Sequence, residues 1–112
     1  MTSTNIHSTA IVSPTATLGY GVHIGPYCVI DGTAVLEDGV MLDGQVLVRG
    51  RARIGAGSRL GWGTAVGCDP QDLSFDPATD SGVIIGANNT LREHVTIHRS
   101  ARRGGDLSLI HI

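Results

Sequence analysis

The stretch Ile24-Gly25-Pro26-Tyr27-Cys28-Val29-Ile30-Asp31-Gly32-Thr33-Ala34-Val35-Leu36 decides how this chain folds. A large aliphatic residue recurs every sixth position, at Ile24, Ile30 and Leu36. A small residue stands four positions after each of the first two, at Cys28 and Ala34. A helix would repeat at about 3.6 residues and a flat strand at 2, so neither explains a period of six. A short strand followed by a tight turn does. The large aliphatic points inward, and the small residue lets the chain take the corner. Gly and Asp supply the turn conformations.

The same spacing extends in both directions. Toward the N-terminus it reaches Leu18, Val12 and Ile6; toward the C-terminus it reaches Leu42, Val48, Ile54, Leu60 and Val66. The small position follows suit, from Ala10 and Ala16 through Val22, Val40, Val46 and Ala52 to Ser58 and Thr64. A fixed repeat is the signature of a stacked architecture. Three six-residue units close one triangular coil, and stacked coils pair as parallel strands around one aliphatic column. The expected fold class is all-β, a parallel β-helix of hexapeptide repeats. With 112 residues there is room for one small domain.

Composition agrees. Aromatic residues make up 4% and hydrophobic residues 41%, so the core must be aliphatic. The formal net charge is −2 and all eight basic residues are arginine, which argues against a phosphate-driven nucleic-acid binder. No apolar run approaches the roughly 20 residues of a membrane helix. The polar start, Met1-Thr2-Ser3-Thr4-Asn5, does not read as a signal peptide, so a cytoplasmic location is expected. Cys28 and Cys68 have neither disulfide-framework nor zinc spacing; Cys28 falls on the small inward position and reads as packing.

The repeat breaks after Val66. The next aliphatic that fits is Ile85, nineteen positions on, one more than three hexads. The segment between carries Pro70, Pro77 and four aspartates, and reads as a loop thrown out over about 67–83. A long loop on a compact repeat is more often functional than idle. The repeat resumes at Ile85, Leu91 and Ile97, and a second, arginine-bearing loop follows over about 99–106. Gly55-x-Gly57-x-x-x-Gly61 has the wrong spacing for a dinucleotide loop and is an echo of the repeat. His94 and His98 are four apart; in extended chain that is about 13 Å, too far for one shared metal ion. His7 and His23 read as outward polar positions, and the Asn88-Asn89-Thr90 sequon carries no chemical meaning without a secretory signal.

The strings Ile24-Gly25-Pro26-Tyr27-Cys28, Pro70-Gln71-Asp72-Leu73, Leu91-Arg92-Glu93-His94-Val95-Thr96-Ile97-His98-Arg99 and Gly104-Gly105 occur in that order. Together they resemble the acyl-carrier-protein-dependent UDP-N-acetylglucosamine O-acyltransferases of lipid A biosynthesis, within the hexapeptide-repeat transferases. The resemblance implies a left-handed coil, a hand that crossover statistics alone would not favour. It implies transfer of a 3-hydroxyacyl chain from acyl carrier protein to the 3-hydroxyl of UDP-N-acetylglucosamine. It also implies a His general base, a homotrimer with sites between subunits, and no cofactor. By the same resemblance Asp72 binds the sugar, Gln71 sits near the acyl or amide region with Leu73 beside it, and His98 lines the cleft. The family commonly has Lys after Gln-Asp-Leu. Here Ser74 stands there and the chain has no Lys, so the basic contact is either missing or moved to Arg99, Arg102 or Arg103.

The family's base lies in a later Asn-Ala-His-x-x-His coil, expected beyond Ile112, so no catalytic residue is assigned within the chain. The last six residues, Leu107-Ser108-Leu109-Ile110-His111-Ile112, equal the translation of the transposon adapter CTGTCTCTTATACACATC. Residues 1–106 are therefore expected to be the front coils of a longer enzyme and 107–112 a non-native tail. The competing functions are another hexapeptide acyl- or acetyltransferase and a non-catalytic β-helix binding module.

Overall fold

A computed structural model describes residues 4–68 and 82–99, and the backbone of 106–109. Strands of two residues alternate with turns. They are β1 (Asn5–Ile6), β2 (Ile11–Val12), β3 (Thr17–Leu18), β4 (His23–Ile24), β5 (Val29–Ile30), β6 (Val35–Leu36), β7 (Met41–Leu42) and β8 (Leu47–Val48). Then come β9 (Arg51–Ile54), β10 (Arg59–Leu60), β11 (Ala65–Cys68), β12 (Gly82–Ile85), β13 (Thr90–Leu91), β14 (Thr96–His98) and β15 (Asp106–Leu109).

Every third strand falls into one sheet. Sheet I runs β1-β4-β7-β10-β13, sheet II runs β14-β11-β8-β5-β2 and sheet III runs β15-β12-β9-β6-β3. All pairings are parallel, as between β4 and β7, where His23 faces Met41 and Ile24 faces Leu42. The offset of eighteen residues is one coil. Each strand's amides donate to the coil above, for example Gly25 N–H to the Leu42 carbonyl at 2.9 Å. The molecule is a three-sided prism, 45 × 27 × 24 Å.

The inward column is the one the repeat foretold. Ile24, Leu36, Leu42, Ile54 and Leu60 are fully buried, and the small positions Val22, Cys28, Ala34, Val40 and Val46 pack between them. Each buried aliphatic contributes roughly 1.5–3 kcal/mol before entropy. Ile6, in the first coil, is 44% exposed, because burial in a stack needs a coil on both sides.

Two inward small positions are hydroxyls. Ser58 Oγ donates to the Gly86 carbonyl (2.9 Å) and Thr64 Oγ1 to the Arg92 carbonyl (3.0 Å). Asn89 is also buried on this column: its Nδ2 donates to the Gly86 carbonyl at 3.1 Å and its N–H to Ser58 Oγ at 3.1 Å. Asn88, the first residue of the Asn88-Asn89-Thr90 sequon, instead occupies a turn with φ +59°. Among the described residues no buried side-chain polar atom lacks a partner, as a dry interior requires.

The turns need a left-handed residue, usually three positions after the inward aliphatic. Glycine fills it at Gly39, Gly57 and Gly63, but Tyr27, Gln45, Asn88 and His94 also take it, with φ between +49° and +59°. His94 is thus an exposed corner residue, so 94–98 is a turn and a strand rather than one extended segment.

The structure shows how the coils re-register across the break in the repeat. Ile85 stacks on Ile54, and Leu91 on Leu60. The coil offset there is thirty-one residues, one normal coil with thirteen inserted. Val66 to Ile85 is therefore a single hexad plus an insertion, not three hexads with a slip of one. Buried aliphatics decide this, since shifting Ile85 by one position would turn it outward. Strands extend to Cys68 and resume at Gly82, inside the 67–83 bounds, and 69–81 lie outside the described residues. Likewise Asp106, the last residue of the 99–106 loop reading, begins β15, whose backbone pairs with β12.

Candidate functional site

The chain leaves the regular stack at the end of β11. Val66 pairs with Ile97, but the next pairing is Cys68 with His98, so one residue on β11 is extra. That residue is Gly67, with φ +87°. A Cβ there would run into the backbone of Arg49 in the coil below. Glycine therefore permits a bulge that no side chain would allow, and the bulge re-aims the chain at the root of the insertion.

The register places His98 directly beside Cys68 although thirty residues separate them. Arg99 N–H donates to the Cys68 carbonyl at 2.8 Å and fixes this juxtaposition. His98, Arg99 and Cys68 are all half-buried. Gln71, Asp72 and Leu73 lie outside the described residues. Asp72 is only four residues beyond Cys68, and chain connectivity alone keeps its Cα within about 14 Å of that of Cys68. His98 is thus brought to the base of the segment that bears the other three.

Both departures from the repeat spring from one edge of the prism. The first leaves sheet II at Cys68 and re-enters sheet III at Gly82; the second leaves sheet II after His98 and re-enters sheet III at Asp106. Four aspartates, Asp69, Asp72, Asp76 and Asp80, belong to the first segment, and Arg99, Arg102 and Arg103 to the second. Arg102 and Arg103 lie outside the described residues. The two breaks are thus anchored on successive coils at one corner.

Other polar groups are structural. Arg53 pairs with Glu37 at 2.7 Å and Arg59 with Asp43 at 3.0 Å, each one coil apart on an outer face. Such exposed pairs contribute about 0–1 kcal/mol. A shallow groove of about 250 Å³ beside Asp43, Arg59 and Arg92 belongs to this surface, not to the His98 corner. Burial pushes the Cys28 thiol above its ordinary range, opposed by hydrogen bonds from the backbone of Val46 and Gly25. Glu93 is held lower by its own backbone N–H and by Arg92. No group of three or more His, Cys, Asp or Glu among the described residues is placed to hold a metal ion.

The chain is 39% identical over 110 residues to the acyl-[acyl-carrier-protein]–UDP-N-acetylglucosamine O-acyltransferase of Rickettsia canadensis, covering 98% of this chain and 41% of that protein. It is 50% identical over 106 residues to the protein of the same name from Campylobacter curvus, covering 95% of this chain and 40% of the relative. It superposes on the crystal structure of the UDP-N-acetylglucosamine acyltransferase of Bacteroides fragilis with a TM-score of 0.89 at 33% identity, over 96% of this chain and 42% of that one. Over nearly its whole length the chain is similar to UDP-N-acetylglucosamine O-acyltransferases. Its fold is the left-handed parallel β-helix of these proteins. No family model matches the chain. It spans about two-fifths of the length of the curated relatives it matches.

Sequence reasoning names His98 through the Thr-Ile-His-Arg string. It missed Cys68 as the neighbour of His98 and Gly67 as the bulge. The only signal for either was the out-of-phase break after Val66. It also left Asn89 without a role; the clue was that Asn89 follows Ile85 by four, the small inward position.

Proposed function

We propose that this chain forms the front coils of an enzyme that moves a 3-hydroxyacyl group from acyl carrier protein to the 3-hydroxyl of UDP-N-acetylglucosamine. The observation that carries the reading is identity of 39–50% to enzymes of that name across 95–98% of the chain. A general base takes the proton of the sugar hydroxyl as its oxygen bonds to the thioester carbonyl. The C–S bond breaks, and the carrier leaves as its thiol, with the proton returned by the base. The base is a His supplied from outside residues 1–112. Asp72 holds the sugar, Gln71 and Leu73 lie toward the acyl chain, and His98 lines the cleft. Arg99, Arg102 and Arg103 take over the charge contact that Ser74 cannot make. The assembly is a cytoplasmic homotrimer, needs no cofactor and binds no nucleic acid. Among the described residues no helix is long and apolar enough to cross a membrane.

The test is a chimera in which residues 4–99 replace the matching coils of the Campylobacter curvus relative. With 3-hydroxyacyl carrier protein and UDP-N-acetylglucosamine, the chimera should transfer the acyl group. Asp72→Asn and His98→Ala should each lower kcat/KM by at least about tenfold, a loss of about 1.4 kcal/mol of transition-state binding, without changing Tm. A folded chimera without transfer, or one indifferent to both substitutions, overturns the reading.

A further inference from the structure

The groove beside Asp43 lies on sheet I, away from the corner of sheets II and III where the chain leaves the stack. Its form follows from one glycine. Gly61 stands just after the inward Leu60, the position that Asp43 holds on one neighbouring coil and Arg92 on the other. With no side chain at Gly61 the surface dips between two long ones, and the notch measures about 250 Å³. A Cβ at Gly61 would press on the backbone of Leu91, Arg92 and Glu93, so the dip is built into the stacking. The rim carries two carboxylates and two guanidiniums: Arg59 pairs with Asp43 at 3.0 Å and Arg92 with Glu93 at 3.6 Å. A phosphate would meet both carboxylates and a metal ion both guanidiniums, so neither kind of ion gains. A neutral ligand with several hydroxyls does gain. Each carboxylate offers two acceptor oxygens, each guanidinium a fork of donors, and the exposed Thr90 a hydroxyl that serves as either. Ion pairs this exposed add so little to the fold that they can turn toward a ligand at small cost.

We propose that this notch binds one neutral sugar ring, at a place separate from the corner that holds His98. The apolar half of the site is Trp62, the residue after Gly61 and the single tryptophan of the chain. It is 45% exposed. Its six-membered ring lies against Gly44, the neighbour of Asp43, and fills space that a side chain at position 44 would need. The indole is therefore held beside the notch rather than left to swing. A pyranose has an apolar C–H face that stacks on an aromatic ring and a rim of hydroxyls that seek donors and acceptors. Trp62 suits the face, and the four charged side chains with Thr90 suit the rim. Size agrees, since the notch is smaller than the roughly 300–1,000 Å³ of pockets for larger ligands.

Trp62 reports on its own surroundings, because no other tryptophan emits. The 112-residue chain is titrated with glucose, with N-acetylglucosamine and, for contrast, with inorganic phosphate, each to about 100 mM so as to exceed millimolar dissociation constants, while Trp62 emission is followed. The expected result is a saturable change with at least one sugar, half-complete at about 1–10 mM as for a ligand of a dozen or so heavy atoms, and none with phosphate. Asp43→Asn and Arg59→Gln, each checked for its β circular dichroism, should weaken the sugar response at least about fivefold. If one of them fails to fold, the other decides. Asp72→Asn should leave the response unchanged. Absence of a saturable change with either sugar overturns the proposal. So does an equal response to phosphate, or indifference to the notch substitutions. Loss of the response in Asp72→Asn also overturns it, by placing the sugar at the candidate transfer site instead.

Discussion

The middle coils and the loop-bearing corner are built from the same strands, yet obey different rules. In the middle, from Val22 to Val66, each inward aliphatic has one above and one below, and its exposure falls to 0–1%. At the corner, the pairing of β11 with β14 skips a residue, Ile97 is only half-buried, and Cys68, His98 and Arg99 stand half in solvent. Regularity there yields to a bulge and two excursions on successive coils. The comparison teaches that stability comes from the stacked column, and that the backbone departs from the repeat where a bulge breaks the pairing.

The largest effect should come from breaking the column. Leu42→Ala leaves a cavity that neighbouring coils cannot close and should cost about 2–5 kcal/mol of unfolding free energy. Ile6→Ala, at the exposed first coil, should cost less than about 1 kcal/mol. Paired denaturant titrations measure both, and equal costs would erase the distinction between stacked and terminal coils. Next is Gly67→Ala. The left-handed φ and the clash with Arg49 backbone should cost about 1–3 kcal/mol. In the chimera that carries these coils it should also lower acyl transfer more than Leu42→Ala does at a temperature where both stay folded. A Gly67→Ala protein with unaltered Tm and transfer would mean that the bulge is incidental.

The smallest effect separates the two regions by pH. Burial raises the Cys28 thiol above its ordinary value of 9.0, so the folded chain keeps a proton that the unfolded chain gives up. The stability from that neutral thiol is complete below the unfolded pKa and declines as pH rises through the folded one. Thermal melts should therefore fall above about pH 9, and Cys28→Ala, with the residue other coils carry at this position, should flatten the fall. An alkaline fall that persists unchanged in Cys28→Ala would refute the assignment.

The column was legible residue by residue, because a hexad repeat is local. Ile24, Ile30 and Leu36 announce their inward direction within a dozen positions, and Cys28 and Ala34 announce the corners. Asn89 was harder to read, since a polar residue on an inward position makes sense only once Ser58 and the Gly86 carbonyl are seen around it. Gln71, Asp72 and Leu73 came from a motif and lie outside the described residues, so for them the sequence remains the guide.

By itself, then, the sequence determined the period and the inward set. The tertiary structure decided how the halves re-register across the interruption, with Ile85 over Ile54 and His98 beside Cys68. It also decided that the chain leaves sheet II at Cys68 and resumes in sheet III at Gly82. The reason is physical. Strand and turn preferences act over a few neighbouring residues, whereas pairing across thirteen inserted residues is fixed by which register buries the aliphatic column and satisfies the parallel hydrogen bonds.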